Sequence, residues 1–415
     1  MSTLAKSDFC TCEIAIVGGG MVGLTLGLAL AQAGFDTVVT EESDGKVEKL
    51  PAFDGRASAI AYGSQRLLAA LGVWPAMAPN AAPIQDIVVS DGKIQRGASP
   101  LFLHFDRREI GEAPLGHIVE NRHFRAALAD TAGQHPKLRV LYSAQVQSLA
   151  QSSSDRVLQL TDGRRVAAKL VVGADGRNSI VRQQAEIKVI AWRYPQTGIV
   201  ATVTHSRPHE GVAQEYFLPA GPFAILPLTG NRSSLVWTEH ARLAPAMLAL
   251  DEDSFRDQVA RRFGPYLGPI TVSGRRWSYP LSLHLARDYV QERLALIGDA
   301  AHGIHPIAGQ GLNLGLRDVA ALAQVLVDAA RQGEDIGSIG VLARYERWRR
   351  FDTVALAAAT DLLNRLFSND LGPLRLARDL GLALAGAIGP ARRFFMREAG
   401  GDTGLLPRLM RGEPL

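Results

Sequence analysis

Cysteine is nearly absent from the chain: Cys10 and Cys12 are the only two in 415 residues. They stand two apart at the entry to an apolar run, which suits a disulfide poorly, and no second cysteine pair completes a zinc site. Both read as bystander thiols in a reducing compartment. A basic tract is missing too. The 45 Lys and Arg face 41 Asp and Glu and are scattered along the chain, so the surface reads as solvated charge rather than a nucleic-acid footprint. Internal repeats and low-complexity stretches are lacking, which sets aside solenoids and disordered linkers. The first residues carry Lys6 and Asp8 with no small-residue cleavage site after them, so no signal peptide is expected and the cytoplasm follows. Charge is also missing from Ile14 to Ala31. A run of that length, about 18 residues, is a transmembrane candidate.

A different reading of that run rests on its glycines. Gly18, Gly20 and Gly23 have the G-x-G-x-x-G spacing after the apolar stretch Glu13 to Val17. The first Gly permits a tight turn, the second lets the backbone approach a pyrophosphate, and the third packs helix on strand. Free N–H groups at the helix start then hold the phosphates. The helix is expected to end at Gly34, and a second strand, Asp36 to Thr40, leads into Glu41. That acid falls where a ribose-binding carboxylate belongs. Glu42 competes for the part, or is a solvated turn residue. The pattern predicts a strand, a phosphate loop and a helix rather than a membrane span.

Two further apolar runs end in Gly: Lys169 to Val172 before Gly173-Ala174-Asp175-Gly176, and Arg293 to Ile297 before Gly298-Asp299. Such runs read as buried strands of a parallel sheet. A nucleotide-binding domain assembled from three separated pieces follows, here 1–85, 115–189 and 285–345. Residues 86–114 and 190–284 carry short β-like runs and turn signals, among them Thr197 to Val203, Ala224 to Leu226 and Ser234 to Trp237, and predict an inserted, mainly antiparallel sheet. After Gln310 the period nears 3.6, through Leu312, Leu316, Val319, Ala323 and Val327 to Gly333. Another helix is expected over Val341 to Phe367, and a C-terminal helical region over 346–415. The stretch Leu371 to Phe395 is amphipathic and holds Arg375, Arg378, Arg392 and Arg393.

Together the three motifs carry a family resemblance. Val172-Gly-Ala-Asp175-Gly-Arg-Asn-Ser179, with Val181-Arg182, resembles the "DG" motif of flavin-dependent aromatic hydroxylases. Leu294-Ala-Leu-Ile-Gly298-Asp299-Ala-Ala-His302 resembles their "GD" motif and runs on through His305-Pro306 to Gly309-Gln310-Gly311-Leu312-Asn313. Order and separation are similar to the p-hydroxybenzoate hydroxylase type over roughly residues 12 to 350. Shorter stretches, Asp54-Gly-Arg56-Ala-Ser-Ala59-Ile60 before Ser64, Leu71-Gly-Val-Trp74, Tyr345-Glu-Arg-Trp-Arg349 and Leu366-Phe-Ser-Asn369, resemble the ubiquinone-biosynthesis hydroxylases.

The resemblance implies an α/β fold: a three-piece, Rossmann-like FAD-binding domain of the glutathione-reductase type, with an inserted β-sheet substrate domain and C-terminal helices. It implies FAD, held through Gly18, Gly20, Gly23 and Glu41 on its ADP half. Arg56 and Arg122 are expected near the pyrophosphate and ribityl chain, where a guanidinium suits phosphate; a surface salt bridge is the alternative for each. Asp175 is expected to be structural and to lie between FAD and the nicotinamide nucleotide. Asp299 is expected to accept from a ribityl hydroxyl; a metal site with His302 and His305 is its rival. Gly309 to Asn313 should start a helix whose positive end faces the flavin, and Pro306 should shape the backbone beside its reacting edge.

The resemblance implies NADPH, or NADH, as a transient co-substrate, in keeping with the lack of a second glycine fingerprint. The implied reaction transfers one oxygen of O2, through a flavin hydroperoxide, to the ring of a polyprenylated phenol in ubiquinone biosynthesis. A non-oxygenating flavin oxidoreductase of the same fold, a hydroxylase of another aromatic substrate and a flavin-free scaffold subunit are the rivals. A polar group should face the phenol; Tyr216, His205 and Gln214 are candidates, with a structural role as the alternative for each. Partners are expected among quinone-biosynthesis proteins or at the inner membrane face. There the 371–395 stretch would lie on lipid or protein, or else pack on its own domain.

Overall fold

The computed structural model describes residues 9–45, 55–93, 97–152, 154–368, 389, 393, 396, 400–401 and 404–415. Asp54, Asn369 and almost all of the 371–395 stretch lie outside them.

The apolar runs that end in Gly are neighbouring strands. Phe9–Val17 is central and pairs in parallel with Thr37–Thr40 on one side and Arg165–Gly173 on the other. Leu138–Leu141 extends the sheet beyond the first, and Leu294–Leu296 beyond the second. Ile14, Ile16, Leu170, Val172, Leu294 and Leu296 are all fully buried. Burial on both faces is what makes these strands continuous apolar runs rather than alternating ones. Register does the rest: Val17 lies beside Gly173, and Gly173 beside Leu296. All three chains therefore leave the same edge of the sheet at one level. The charge-free run becomes a strand, a loop and the helix Met21–Gln32. Among the described residues no helix is long and apolar enough to cross a membrane.

The second sheet has eight strands, from residues 86–106, 189–286 and His302–Gly303. Its pairs are antiparallel except Val212–Leu218 with Asp86–Lys93. The three β-like runs seen in the sequence are the middles of longer strands, Val189–His205, Gly221–Leu228 and Arg232–His240. One face packs on helix Glu252–Phe263, through Phe223, Trp237 and Leu235 against Phe255 and Val259. Asp251 caps that helix by accepting the Ser254 N–H at 2.7 Å. His302–Gly303 pairs with the strand Ile270–Ala286, so the chain after Asp299 crosses from one sheet to the other. Helix Ile339–Phe367 runs unbroken through residue 346, for it has no Gly or Pro between Val341 and Phe367.

Candidate active site

The common edge of the first sheet concentrates the three motifs. Gly18, at φ +106°, turns the chain, and a Cβ there would lie 2.5 Å from the Ala174 carbonyl oxygen. A Cβ on Gly23 would lie 1.9 Å from the Gly18 carbonyl oxygen. Gly20 is different: among the described residues nothing stands within 4 Å of where its Cβ would be, and its backbone is extended at φ −69°. It caps helix Met21–Gln32, whose first turn holds no acid and no side-chain cap. The N–H groups there open on free space, which suits a phosphate.

Glu41 sits at the end of Thr37–Thr40. One carboxylate oxygen accepts the Gly19 N–H at 2.7 Å and the other the Ser43 N–H at 2.9 Å. The acid holds the loop itself, and each oxygen keeps a lone pair for a further donor.

Two buried side chains lock the motifs together. Arg182 donates to the Ala300 carbonyl at 2.7 Å and to the Arg177 carbonyl at 2.8 Å, tying the second motif to the third. Asp175 accepts the Val181 N–H at 3.1 Å, and burial pushes its pKa up. Replacing Arg182 by Lys leaves one ammonium for two carbonyls. The substitution is expected to lower stability by about 2 kcal/mol, read by denaturant unfolding. An unchanged midpoint would show that the two loops hold without it.

Asp318, fully buried in helix Gln310–Arg331, is the second lock. It accepts the Gly298 N–H at 3.0 Å, meets His302 Nε2 at 2.5 Å and accepts Arg349 Nε at 2.9 Å. Burial opposes its charge, but His302 and Arg349 more than offset this and hold the carboxyl below its ordinary pKa. His305 packs edge-on against Tyr194 at 5.1 Å, and burial pushes its pKa down to about 4. Asp299 is exposed, with its carbonyl 2.8 Å from His284 Nε2. Asp299, His302 and His305 thus have separate surroundings, and among the described residues no group of three His, Cys, Asp or Glu is placed to hold a metal ion.

A cavity of about 640 Å³ joins these parts. Its lining includes Gly20, Asp299, Pro306 and the helix start Gly309 to Asn313. Gly309, left-handed at φ +62°, turns the chain into helix Gln310–Arg331, and beside Gly311 there is open space. The Asn313 side chain is committed to backbone: it donates to Ala59 O and accepts from Ala61 N, both at 2.9 Å. Ile84, Ile87, Val89, Phe105, Leu115 and Leu226 form an apolar part of its wall.

Some expected residues stand elsewhere. Arg122 pairs with Glu120 at 3.3 Å, while Arg125, one turn on, lines the cavity. Its Nε is buried with no partner among the described residues. The Arg56 guanidinium stacks 4.6 Å from the Trp277 ring centroid. Tyr216 packs in the core under helix Glu252–Phe263, and His205 bonds Ser233 and contacts Phe263 on that same face. Gln214 borders the cavity, but its side-chain oxygen accepts from Tyr216. The alternation of the strands points Glu215, Val236, Thr238 and Tyr279 at the cavity instead.

A phosphate-binding loop that opens on a partly apolar cavity fits a flavin-dependent aromatic monooxygenase, the class that the relatives of this chain show. Residues 11–357 match the family model described as FAD binding domain. The chain belongs to that family and, within it, to the hydroxylases of ubiquinone biosynthesis. It is 50% identical to the ubiquinone hydroxylase UbiL of Rhodospirillum rubrum over 406 residues, 97% of this chain and 93% of that one. It is 39% identical to the 3-demethoxyubiquinol 3-hydroxylase of Escherichia coli over 391 residues, 93% of this chain and 98% of the relative. The crystal structure of p-nitrophenol 4-monooxygenase PnpA from Pseudomonas putida DLL-E4 shares the fold, with a TM-score of 0.78 at 20% identity, over 95% of this chain and 100% of that one.

Proposed function

We propose that the protein hydroxylates the aromatic ring of a polyprenylated phenol in ubiquinone biosynthesis, with FAD bound, NADPH or NADH as reductant and O2 as oxidant. The observation that carries this is the lining of this cavity, which combines the helix start at Gly20, a second helix start at Gln310 and an apolar wall. FAD, when bound, supplies the activation of dioxygen.

The chain's own residues position and enclose. The N–H groups after Gly20 hold the pyrophosphate, with Arg125 as a cation on the cavity wall. Glu41 offers its free lone pairs to ribose hydroxyls, and Asp299 its exposed carboxylate to the ribityl chain. Arg56 and Arg122 support this half from beside it, through Trp277 and Glu120. Asp175 holds the Asp175–Val181 turn that separates FAD from the nicotinamide nucleotide. The N–H groups of Gly311, Leu312 and Asn313, at the positive end of helix Gln310–Arg331, would stabilise negative charge on the reduced cofactor. Pro306 shapes the wall beside them. Ile87, Val89, Phe105 and Leu226 keep water out, which favours oxygen transfer over release of hydrogen peroxide.

A substrate this greasy calls for contact with lipid or a partner protein. Phe351 and Leu362, 79% and 66% exposed on the last long helix, stand close in sequence to the 371–395 stretch for which that contact is expected.

The test is direct. Purified protein is expected to carry yellow FAD, to oxidise NADPH faster when a prenylated phenol is added, and to form a product heavier by one oxygen-18 under 18O2. A reduced or rearranged product without the label sinks the hydroxylase reading in favour of a non-oxygenating oxidoreductase.

A further inference from the structure

The proposed reaction needs a hydrogen-bonding group at the phenol, and the three residues read from the sequence do not supply it. The cavity face of the second sheet does. Gly198 is the register partner of Thr238 on one side and of Tyr279 on the other, so the three stand side by side on adjacent strands. Gly198 has no side chain, and Tyr279 fills the notch. A Cβ on Gly198 would lie 2.8 Å from Tyr279 Cζ and 3.1 Å from its hydroxyl oxygen. The Tyr279 ring therefore lies over Gly198, on the strand between its own and that of Thr238.

Thr238 is 1% exposed, and its hydroxyl oxygen has no hydrogen-bond partner among the described residues. Its methyl is spoken for: a Cβ on Gly221 would lie 2.5 Å from it. A buried hydroxyl without a partner is costly, and few native ones lack an explanation. Both Thr238 and Tyr279 line the same cavity as Pro306 and Asp299.

We infer that Thr238 and Tyr279, brought together across Gly198, form the seat that holds the ring hydroxyl of the aromatic substrate. The assignment rests on the function proposed above. A neutral phenol has one O–H to give and lone pairs to receive. The phenol donates to Thr238 Oγ1 and accepts from Tyr279 Oη. Burial raises the Tyr279 pKa, so its proton stays in place to be donated. A methoxy group in the seat has nothing to donate, which makes the pair a selector for hydroxyl over ether. The rest of the cavity then sets direction: the ring faces Pro306, and the prenyl chain runs along Ile87, Val89 and Phe105.

The experiment compares wild type, Thr238→Val, Tyr279→Phe and Gly198→Ala as FAD-loaded proteins. The probes are a short-chain prenylated phenol and its analogue with hydrogen in place of the ring hydroxyl. Equilibrium dialysis is expected to show wild type favouring the phenol about tenfold, the size that one or two neutral hydrogen bonds supply. Thr238→Val and Tyr279→Phe should each remove most of that preference while leaving affinity for the deoxy analogue within about twofold. Gly198→Ala should behave like Tyr279→Phe, because the new methyl displaces the ring. Thr238→Val exchanges a hydroxyl for a methyl of the same size, so it is the arm least exposed to misfolding. A phenol preference unchanged in both Thr238→Val and Tyr279→Phe overturns the seat. Wild type that prefers the phenol but incorporates no oxygen-18 keeps the seat and removes the hydroxylase reading. Wild type that hydroxylates while the variants keep full preference does the reverse.

Discussion

Exchanging Asp318 for alanine is expected to remove about 3–5 kcal/mol of folding stability, the usual result when one partner of a buried ion pair is deleted. The carboxylate is fully buried and reaches three groups: the Gly298 N–H, His302 and Arg349. Without it the Arg349 guanidinium keeps, among the described residues, only Asp352, at 2.9 Å, as a carboxylate partner. The loop Gly298-Asp299 loses the bond that fixes its start, so FAD affinity should fall with stability. Asp318→Asn keeps the shape and removes the charge, and its loss should lie between wild type and alanine. The pH dependence has a definite sign. The folded carboxyl titrates below its ordinary value, so protons bind the unfolded chain more readily. Its contribution is complete above the unfolded pKa of about 3.9 and drains as the pH falls through the lower folded value. Denaturant titrations of wild type and Asp318→Ala should therefore run parallel from pH 5 to 8 and converge only below about pH 4. An alanine variant within about 1 kcal/mol of wild type would show that the node is dispensable.

Asp318 was also the kind of residue the sequence hides. The motif ends were legible because a strand buried on both faces is an apolar run, and a Gly after it marks the turn. Asp318 lies between Leu316 and Val319 on the apolar side of a regular helix, where a lone acid is easily read as a solvated one. Its partners come from 16 and 31 residues away, and no local pattern links them. Tyr345 and Arg349 belonged to a recognisable stretch, yet their work, a bond to the Leu296 carbonyl and the Asp318 pair, shows only in three dimensions.

The substrate side was less legible still, for a geometric reason. The strand Val212–Leu218 has apolar and polar residues on both faces, since one face meets helix Glu252–Phe263 and the other a cavity. Period two separates Gln214 and Tyr216 from Glu215, but which set faces the cavity depends on which face the helix covers. Arg122 and Arg125 pose the same problem on a helix, where three residues turn the side chain through about 300°. Only the helix rotation decides which one lines the cavity.

The glycines permit a sharper test of the cradle, because two of them occur for different reasons. Gly23 is needed by the fold: a methyl there would sit 1.9 Å from a backbone oxygen. Gly20 is not. Its backbone is ordinary extended chain, and nothing lies within 4 Å of its absent Cβ. Among the described residues nothing requires glycine at that point, which fits a ligand held close against it. Gly23→Ala is expected to unfold the loop and lower the melting temperature of apoprotein and holoprotein alike. Gly20→Val should leave the apoprotein melting curve where it was, since β-branched residues favour extended backbone. It should nonetheless weaken FAD by about a hundredfold or more, because the side chain takes the space of a close-held pyrophosphate. FAD affinity follows from fluorescence quenching on titration into apoprotein, and stability from the melting curves. Retained tight binding by Gly20→Val would mean that the pyrophosphate does not rest on the Gly20 loop. Equal loss of apoprotein stability in both variants would make the loop a structural turn and leave the cradle without its first support.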